Sequence, residues 1–398
     1  MTKREKMNIP TAVTQIIQRL SEFGFSAHVV GGCVRDHLLG KIPDDFDMTT
    51  DATPEQILQV FNDFRVVETG IKHGTITVVI DGENYEITTY RQDGKYTDNR
   101  HPDSVKFTRS LEEDLARRDF TINAICYNPN GRYTDLFDGM SDLDSRIIRA
   151  VGNPTTRFKE DALRIMRALR FAATLGFTIE EKTKNAIFEC FTLLSSVSRE
   201  RLFSEWKKLI SSCGAYEIIS EYKTVFEFII PELKGLILPE KSLFKKAEAE
   251  IRELGIFAKT VKEHPQNSFL SAMTGLTSDN KRKKHGYNVL SALSIPSSNR
   301  EEISLLIMKT GRIVAKDVMK LKLLLETADE NMFAAADELC GCENCYSISE
   351  LAVDGNDLIK LGFSGEKIGE VLAKLLESVV LGKVENDKKA LIEVALNK

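Results

Sequence analysis

A glycine pair wedged between a β-branched run and a short helical turn most restricts what this chain can form. Ala27-His28-Val29-Val30 predicts a strand, Gly31-Gly32 a tight turn, and Val34 to Leu39 a helical turn ending at Gly40. Glycines let a backbone approach phosphate oxygens and aim N–H groups at them, and a helix dipole adds attraction. Arg35 then stands where a triphosphate needs neutralising, although a plain tight turn accounts for the same glycines. Phe46-Asp47-Met48-Thr49 predicts the next strand, and alternate residues share a strand face, so Asp45 and Asp47 point one way. Two carboxylates beside such a turn suit hard divalent cations in nucleotidyl transfer. The competing account is a solvated strand end.

The flanking pattern places this turn in a mixed domain. Val13, Ile16, Ile17 and Leu20 recur at helical spacing over residues 11–24, and Pro54-Glu55-Gln56 opens a second helix with Ile57, Leu58 and Phe61 on its apolar face. Gly74–Ile80, the turn Asp81-Gly82 and Tyr85–Tyr90 predict a β-hairpin. Glu86 lies on it, either as a third carboxylate near the first two or as a surface strand residue. From Arg91 to Arg109 the chain is polar and reads as a mobile loop. After about residue 141 helical periodicity takes over, as in Asp161–Leu175, Arg199–Ser211 and Ser304–Glu326. The expected fold class is therefore α+β, a mixed α/β head followed by an all-helical remainder, with Pro239 and Thr277–Lys284 as candidate boundaries.

Bulk properties set outer limits. At 398 residues the chain is too long for one ordinary core. Its 42% hydrophobic and 28% charged residues describe a globular protein, and no apolar run is long enough for a bilayer. The start, Met1-Thr2-Lys3-Arg4-Glu5-Lys6, lacks a signal-peptide core, and seven scattered cysteines fit reduced thiols, so a cytoplasmic location is expected. A net charge of −5 neither announces nor excludes nucleic-acid binding, which needs only a local basic surface.

Two further motifs carry chemistry. In Arg117-Arg118-Asp119-Phe120-Thr121-Ile122-Asn123-Ala124, Arg118 is placed to contact phosphates, while Asp119 and Asn123, four apart on one side of a helix, suit ribose hydroxyls. A charged helix start packed by Phe120 and Ile122 is the alternative. Within Glu160–Arg170, Leu163, Met166 and Leu169 form an apolar ridge, and Asp161, Arg164, Arg167 and Arg170 a charged one. An exposed ion-paired helix face would read the same way. Chemically, Asp161 and Arg164 form an acceptor–donor pair matched to the exocyclic amine and adjacent ring nitrogen of cytosine or adenine. Uracil and guanine present a carbonyl to the carboxylate instead, and each matched contact is worth roughly 1–3 kcal/mol of discrimination.

These segments together resemble the bacterial-type (class II) tRNA nucleotidyltransferases, the CCA-adding enzymes. The resemblance rests on GGCVRD with DFDMTT, TGIKHGTITV, RQDGKYTDNRHPDSVKF, RRDFTINA and RFKEDALRIMRALRFAATLGF, close over roughly residues 25–180, with a looser echo in LAVDGNDLIKLGFSGEKIGEVL. It implies template-independent addition of the 3′-terminal CCA to tRNA from CTP and ATP, with release of pyrophosphate. By the same resemblance Gly31, Gly32 and Arg35 bind triphosphate, Asp45 and Asp47 hold magnesium, and Arg118, Asp119 and Asn123 read phosphate and sugar. Asp161 and Arg164 pair with the base, supported by Arg167 and Arg170; Glu86 is counted as a catalytic candidate beside Asp45 and Asp47 on its hairpin position alone. The implied layout is a catalytic head (1–140), a neck with the base-reading helix (141–210), a body (211–300) and a tRNA-binding tail (301–398), with the acceptor and T-arm of tRNA as partner and a monomer or homodimer as the assembly. The segment 91–109 matches the family's flexible element associated with switching to A addition.

Two relatives of this reading stay open from sequence: an A-adding enzyme working beside a CC-adding one, and bacterial poly(A) polymerase. His264 precedes proline and His285 precedes glycine, so no His-Asp hydrolase signature accompanies the head. Lys281-Arg282-Lys283-Lys284 is a solvated charge run or a phosphate contact. Cys340, Cys342 and Cys345 read as reduced thiols in a helix-connecting loop rather than a zinc site, which usually needs four ligands.

Overall fold

Thr11–Glu22 (α1) buries Val13, Ile16, Ile17 and Leu20 against a mixed sheet, each apolar side chain contributing ~1.5–3 kcal/mol by leaving water. The computed structural model that shows this describes residues 6–94 and 105–397. Two compact units divide the chain, Met1–Ile218 and Ile219–Lys398.

In the first unit, Ala27–Val30 (β1) leads through Gly31 into Gly32–Leu38 (α2), followed by Met48–Thr50 (β2) and Pro54–Val60 (α3). Thr53 starts α3 with a capping box to Gln56, and Pro54 occupies its first turn, where the missing N–H costs nothing. Arg65–Val67 (β3), Thr75–Ile80 (β4) and Glu83–Thr89 (β5) follow. The turn between β4 and β5 has positive φ at both Asp81 (53°) and Gly82 (84°), the twist that a two-residue hairpin requires. Arg91–Asp93 (β6) and Val105–Phe107 (β7) pair with each other, so the ends of the expected loop 91–109 form a small antiparallel ladder. The mobility expected of the rest of that segment falls on residues 95–104, which lie outside the described residues. Leu111–Ala116 (α4), Ile125–Asn128 (β8), Arg132–Asp135 (β9) and Gly139–Ser145 (α5) complete the head.

The seven-stranded sheet runs β3-β4-β5-β2-β1-β8-β9. Only β2 and β5 are parallel, with Met48 opposite Ile87. The other pairs are antiparallel. Beyond it, Ile147–Ile148 (β10) and Thr178–Ile179 (β11) form a two-residue parallel ladder inside an otherwise helical region. There, Pro154–Glu160 (α6), Leu163–Leu175 (α7), Glu181–Cys190 (α8) and Arg199–Ile210 (α9) pack through Phe158, Met166, Leu169 and Trp206. The sheet-then-helices order is the α+β class expected.

Helices make up the second unit. The expected helix Ser304–Glu326 is two, Arg300–Thr310 and Arg312–Leu324, broken at Gly311. Its last part has its own core of Val353, Leu358, Leu372, Leu375, Leu391 and Ala395. Arg282, within the basic run, is ion-paired to Glu250 (2.9 Å) and Glu253 (2.5 Å) rather than left to solvent. Cys340 lies in the last turn of Glu330–Gly341, and Arg312 donates to the carbonyls of Cys340 and Asn344 (3.1 and 2.7 Å) and also to that of Cys342, satisfying groups that a helix end leaves open. Among the described residues no helix is long and apolar enough to cross a membrane.

Candidate active site

The turn Gly31–Gly32 opens one wall of a cavity of about 530 Å³ in the first unit. Gly31 has φ 84° and ψ −132°, a conformation costly for any residue with a Cβ, although a Cβ there would meet Arg118 Nη1 only at ordinary contact distance, 3.4 Å. Arg35, one turn into α2, is fixed by Asp36 (2.9 and 2.8 Å) and by the Asn123 side-chain carbonyl (2.8 Å).

Asp45 and Asp47 line the same cavity, but not from within a strand. β2 begins only at Met48, and both aspartates lie in the lead-in, where the Asp47 carbonyl accepts from Val30 N–H (3.0 Å). Extending the β2–β5 register by one residue sets Asp47 opposite Glu86. The Asp47 carboxyl is pushed above its ordinary value by burial and by the negative charges of Asp45 and Glu86, against the pull of Arg118. Such uncompensated anions favour a divalent cation, and carboxylate oxygens suit magnesium. Among the described residues no three His, Cys, Asp or Glu side chains form a self-contained metal cage. Magnesium usually takes one or two carboxylates and completes its shell with phosphate oxygens and water.

The second motif is not a helix. Arg117 ends α4, Asp119–Phe120 is extended, and Thr121–Asn123 forms a single 3-10 turn. Asp119 and Asn123 nevertheless meet, Asn123 donating to Asp119 (3.1 Å). Asp119 also accepts from Phe120 N–H (2.8 Å) and twice from Arg167 (2.8 and 2.6 Å), which uses the capacity of its two oxygens. Burial pushes this carboxyl up, but the Arg167 charge and these hydrogen bonds outweigh it and hold it down at about 2. Asp114, which sequence reasoning passed over, is fully buried and anchors Arg117 (2.8 Å) and Arg118 (3.3 Å). Its spacing of three and four before those arginines was the available signal. Arg118 Nε is buried without a hydrogen-bond partner among the described residues, a donor ready for an anion.

The third motif bends. α6 ends at Glu160, Asp161 is extended (φ −134°), and α7 starts at Leu163, so Asp161–Leu175 is not one helix. The break lets the Asp161 carboxylate accept from Leu163 N–H (3.0 Å) while Arg201, from α9, holds its other oxygen (3.0 Å). Arg164 does not bond Asp161 through its side chain. It donates to Glu160 (2.8 Å) and to the carbonyls of Arg157 and Arg117 (3.2 and 2.7 Å). Arg170 pairs with Glu205 of α9 at 2.5 Å. Burial lowers the Arg170 pKa, and Glu205 counters it. Arg201, Glu205 and Lys208 reach the site from far along the chain, and no spacing in the sequence announces them.

The structure thus brings Gly31, Gly32, Arg35, Asp45, Asp47, Arg118, Asp119, Asn123, Asp161, Arg164, Arg167 and Arg170 around one cavity, with Phe171 in its wall. Glu86 stands outside the lining but near enough to act on Asp47. Several arginines and a carboxylate pair therefore share the lining of a space large enough for a nucleotide, Arg118 close enough to act on Asp47.

Comparison with known proteins gives this arrangement its family. The Poly A polymerase head domain matches residues 27–149, and tRNA nucleotidyltransferase domain 2 matches residues 247–395. The chain is 36% identical to a CCA-adding enzyme of Lactobacillus delbrueckii subsp. bulgaricus, covering 99% of both, and 38% identical to one of Enterococcus faecalis, covering 96% of this chain and 94% of that one. Its fold superposes on the crystal structure of the Bacillus stearothermophilus CCA-adding enzyme in complex with CTP with a TM-score of 0.81 at 32% identity, over 98% of each. A Thermotoga maritima CCA-adding enzyme complexed with tRNA shares the fold at a TM-score of 0.68 and 20% identity, over 98% of this chain and 96% of that one. On this ground the chain belongs to the CCA-adding enzymes.

Proposed function

We infer that this protein adds C, C and A to the 3′ end of tRNA from CTP and ATP, releasing pyrophosphate and using no nucleic-acid template. The observation that carries the reading is the single cavity in which a carboxylate pair, several arginines and the Asp161/Arg164 pair converge. Full-length relatives at 36–38% identity bear the same name, which supports it.

In this reading the tRNA 3′-hydroxyl attacks the α-phosphate in line. Asp45 and Asp47 would hold magnesium, with Glu86 adding charge behind them. When bound, the metal neutralises the triphosphate and lowers the pKa of the attacking hydroxyl. Arg35, Arg118, Arg167 and Arg170 hold the triphosphate, and Gly31 and Gly32 let it approach the backbone. Asp161 accepts from the base's exocyclic amine and Arg164 donates to the adjacent ring nitrogen. Asp119 serves first to orient Arg167 and Asn123, because a ribose hydroxyl reaches it only by displacing one of its present donors. Catalysis then comes from positioning and charge. The division into head, neck, body and tail, tRNA held along the helical parts by shape and backbone, and a cytoplasmic setting complete the proposal.

The test uses purified protein, magnesium and tRNA transcripts ending before CCA, after C and after CC, with products resolved to one nucleotide. Addition of C, C and a single A supports the reading. A addition to the CC transcript alone would make it an A-adding enzyme, and long A tails a poly(A) polymerase.

A further inference from the structure

Phe171 is an unusual aromatic for a cavity wall. The residue is 5% exposed, and three guanidiniums lie about its ring, those of Arg170, Arg35 and Arg167 at 3.8, 5.1 and 5.4 Å from the centroid. These cations come from two separate motifs, α2 and α7. Phe120, of the Asp119 segment, meets the ring edge-on (5.8 Å, 80°) and fixes its plane. Each arginine also pairs with a carboxylate: Arg170 with Glu205 and Arg167 with Asp119, both distant in sequence, and Arg35 with its neighbour Asp36. Carboxylates alone would let three like charges spread apart. The negative face of an aromatic ring attracts cations without neutralising them, so it gathers positive charge while leaving N–H donors for a ligand.

We propose that Phe171 is a positioning residue whose ring gathers Arg35, Arg167 and Arg170 into one triphosphate-binding cluster. This rests on the reading that those arginines hold the triphosphate. The role belongs to the quadrupole of the ring, not to its volume. It serves CTP and ATP alike, because both carry the same triphosphate and the base is read elsewhere.

The experiment replaces Phe171 with mono-, di- and pentafluorophenylalanine, which keep the ring shape while weakening and then inverting its quadrupole, alongside Phe171→Tyr and Phe171→Leu. KM for CTP and for ATP, kcat, and the dissociation constant of inorganic tripolyphosphate are measured on the full chain. The proposal expects KM for both nucleotides to climb with fluorination, to about tenfold for the pentafluoro ring. Tripolyphosphate affinity should weaken in step, kcat should change little, and Phe171→Tyr should stay near the unsubstituted protein. Flat KM values across the fluorinated series would overturn it. So would a change confined to one nucleotide, or one that leaves tripolyphosphate binding untouched. Should the unsubstituted protein fail to extend tRNA, the functional reading itself falls. Should it extend tRNA while the series stays flat, only the role of Phe171 falls.

Discussion

Asp47 shows how one side chain's surroundings state its use. Burial and two neighbouring carboxylates raise its pKa, a cost that a lone structural aspartate would not carry and that a bound cation relieves. Asp47→Asn should keep the fold and lower kcat about a thousandfold, equivalent to several kcal/mol of lost charge stabilisation, in single-turnover incorporation at saturating magnesium and CTP. The thiols make a second residue-scale case. Burial, with Asp47 nearby, lifts Cys33 to about 12, and burial lifts Cys126 to about 12, whereas Cys213 is exposed. Alkylation at pH 8 followed by mass spectrometry should therefore label Cys213 first and reach Cys33 and Cys126 only on unfolding.

Between residues and the whole lie the turns and helix ends that aim them. Gly31→Ala puts a Cβ where φ is 84°, so it should cost roughly 1–3 kcal/mol and weaken nucleotide binding, read as a lower melting temperature and a higher KM. The Asp119–Arg167 pair ties α7 to the extended segment after α4. With the folded carboxyl at about 2, below its ordinary value, its stabilisation is fully present above pH ~4 and is lost as pH falls towards 2. That contribution is about 2 kcal/mol. Urea unfolding should show this acid loss in the parent and a smaller one in Asp119→Asn, which instead starts less stable at pH 7. At this scale the sequence was most legible where local chemistry decides. Asp81-Gly82 specifies its hairpin turn, and Val13, Ile16, Ile17 and Leu20 mark the buried face of α1. It was least legible where distant groups decide. The break at Asp161 is held by Arg201, forty residues on, and the motif around Asp119 is extended because it docks on Ala150 and Val151.

For the whole molecule, the order of a mixed sheet followed by helices was legible from the shift in periodicity. The division at residues 218 and 219 had no comparable marker, since the helical pattern runs through it. The cavity itself gathers three motifs spread along the chain from Gly31 to Arg170, and only the folded unit makes them neighbours. In the proposed function, protein side chains in this cavity, with no template strand, choose C and A over U and G. The most direct measurement offers all four nucleoside triphosphates singly to a tRNA ending before CCA and to one ending in CC, with the parent and with Asp161→Asn. An asparagine amide can donate to the carbonyl of uracil or guanine as readily as its oxygen accepts from an amine. The parent should take CTP and ATP alone, and the variant's preference for them over UTP and GTP should narrow without vanishing, because Arg164 still faces the ring N–H of uracil and guanine. A variant that stays active with unchanged selectivity would contradict this.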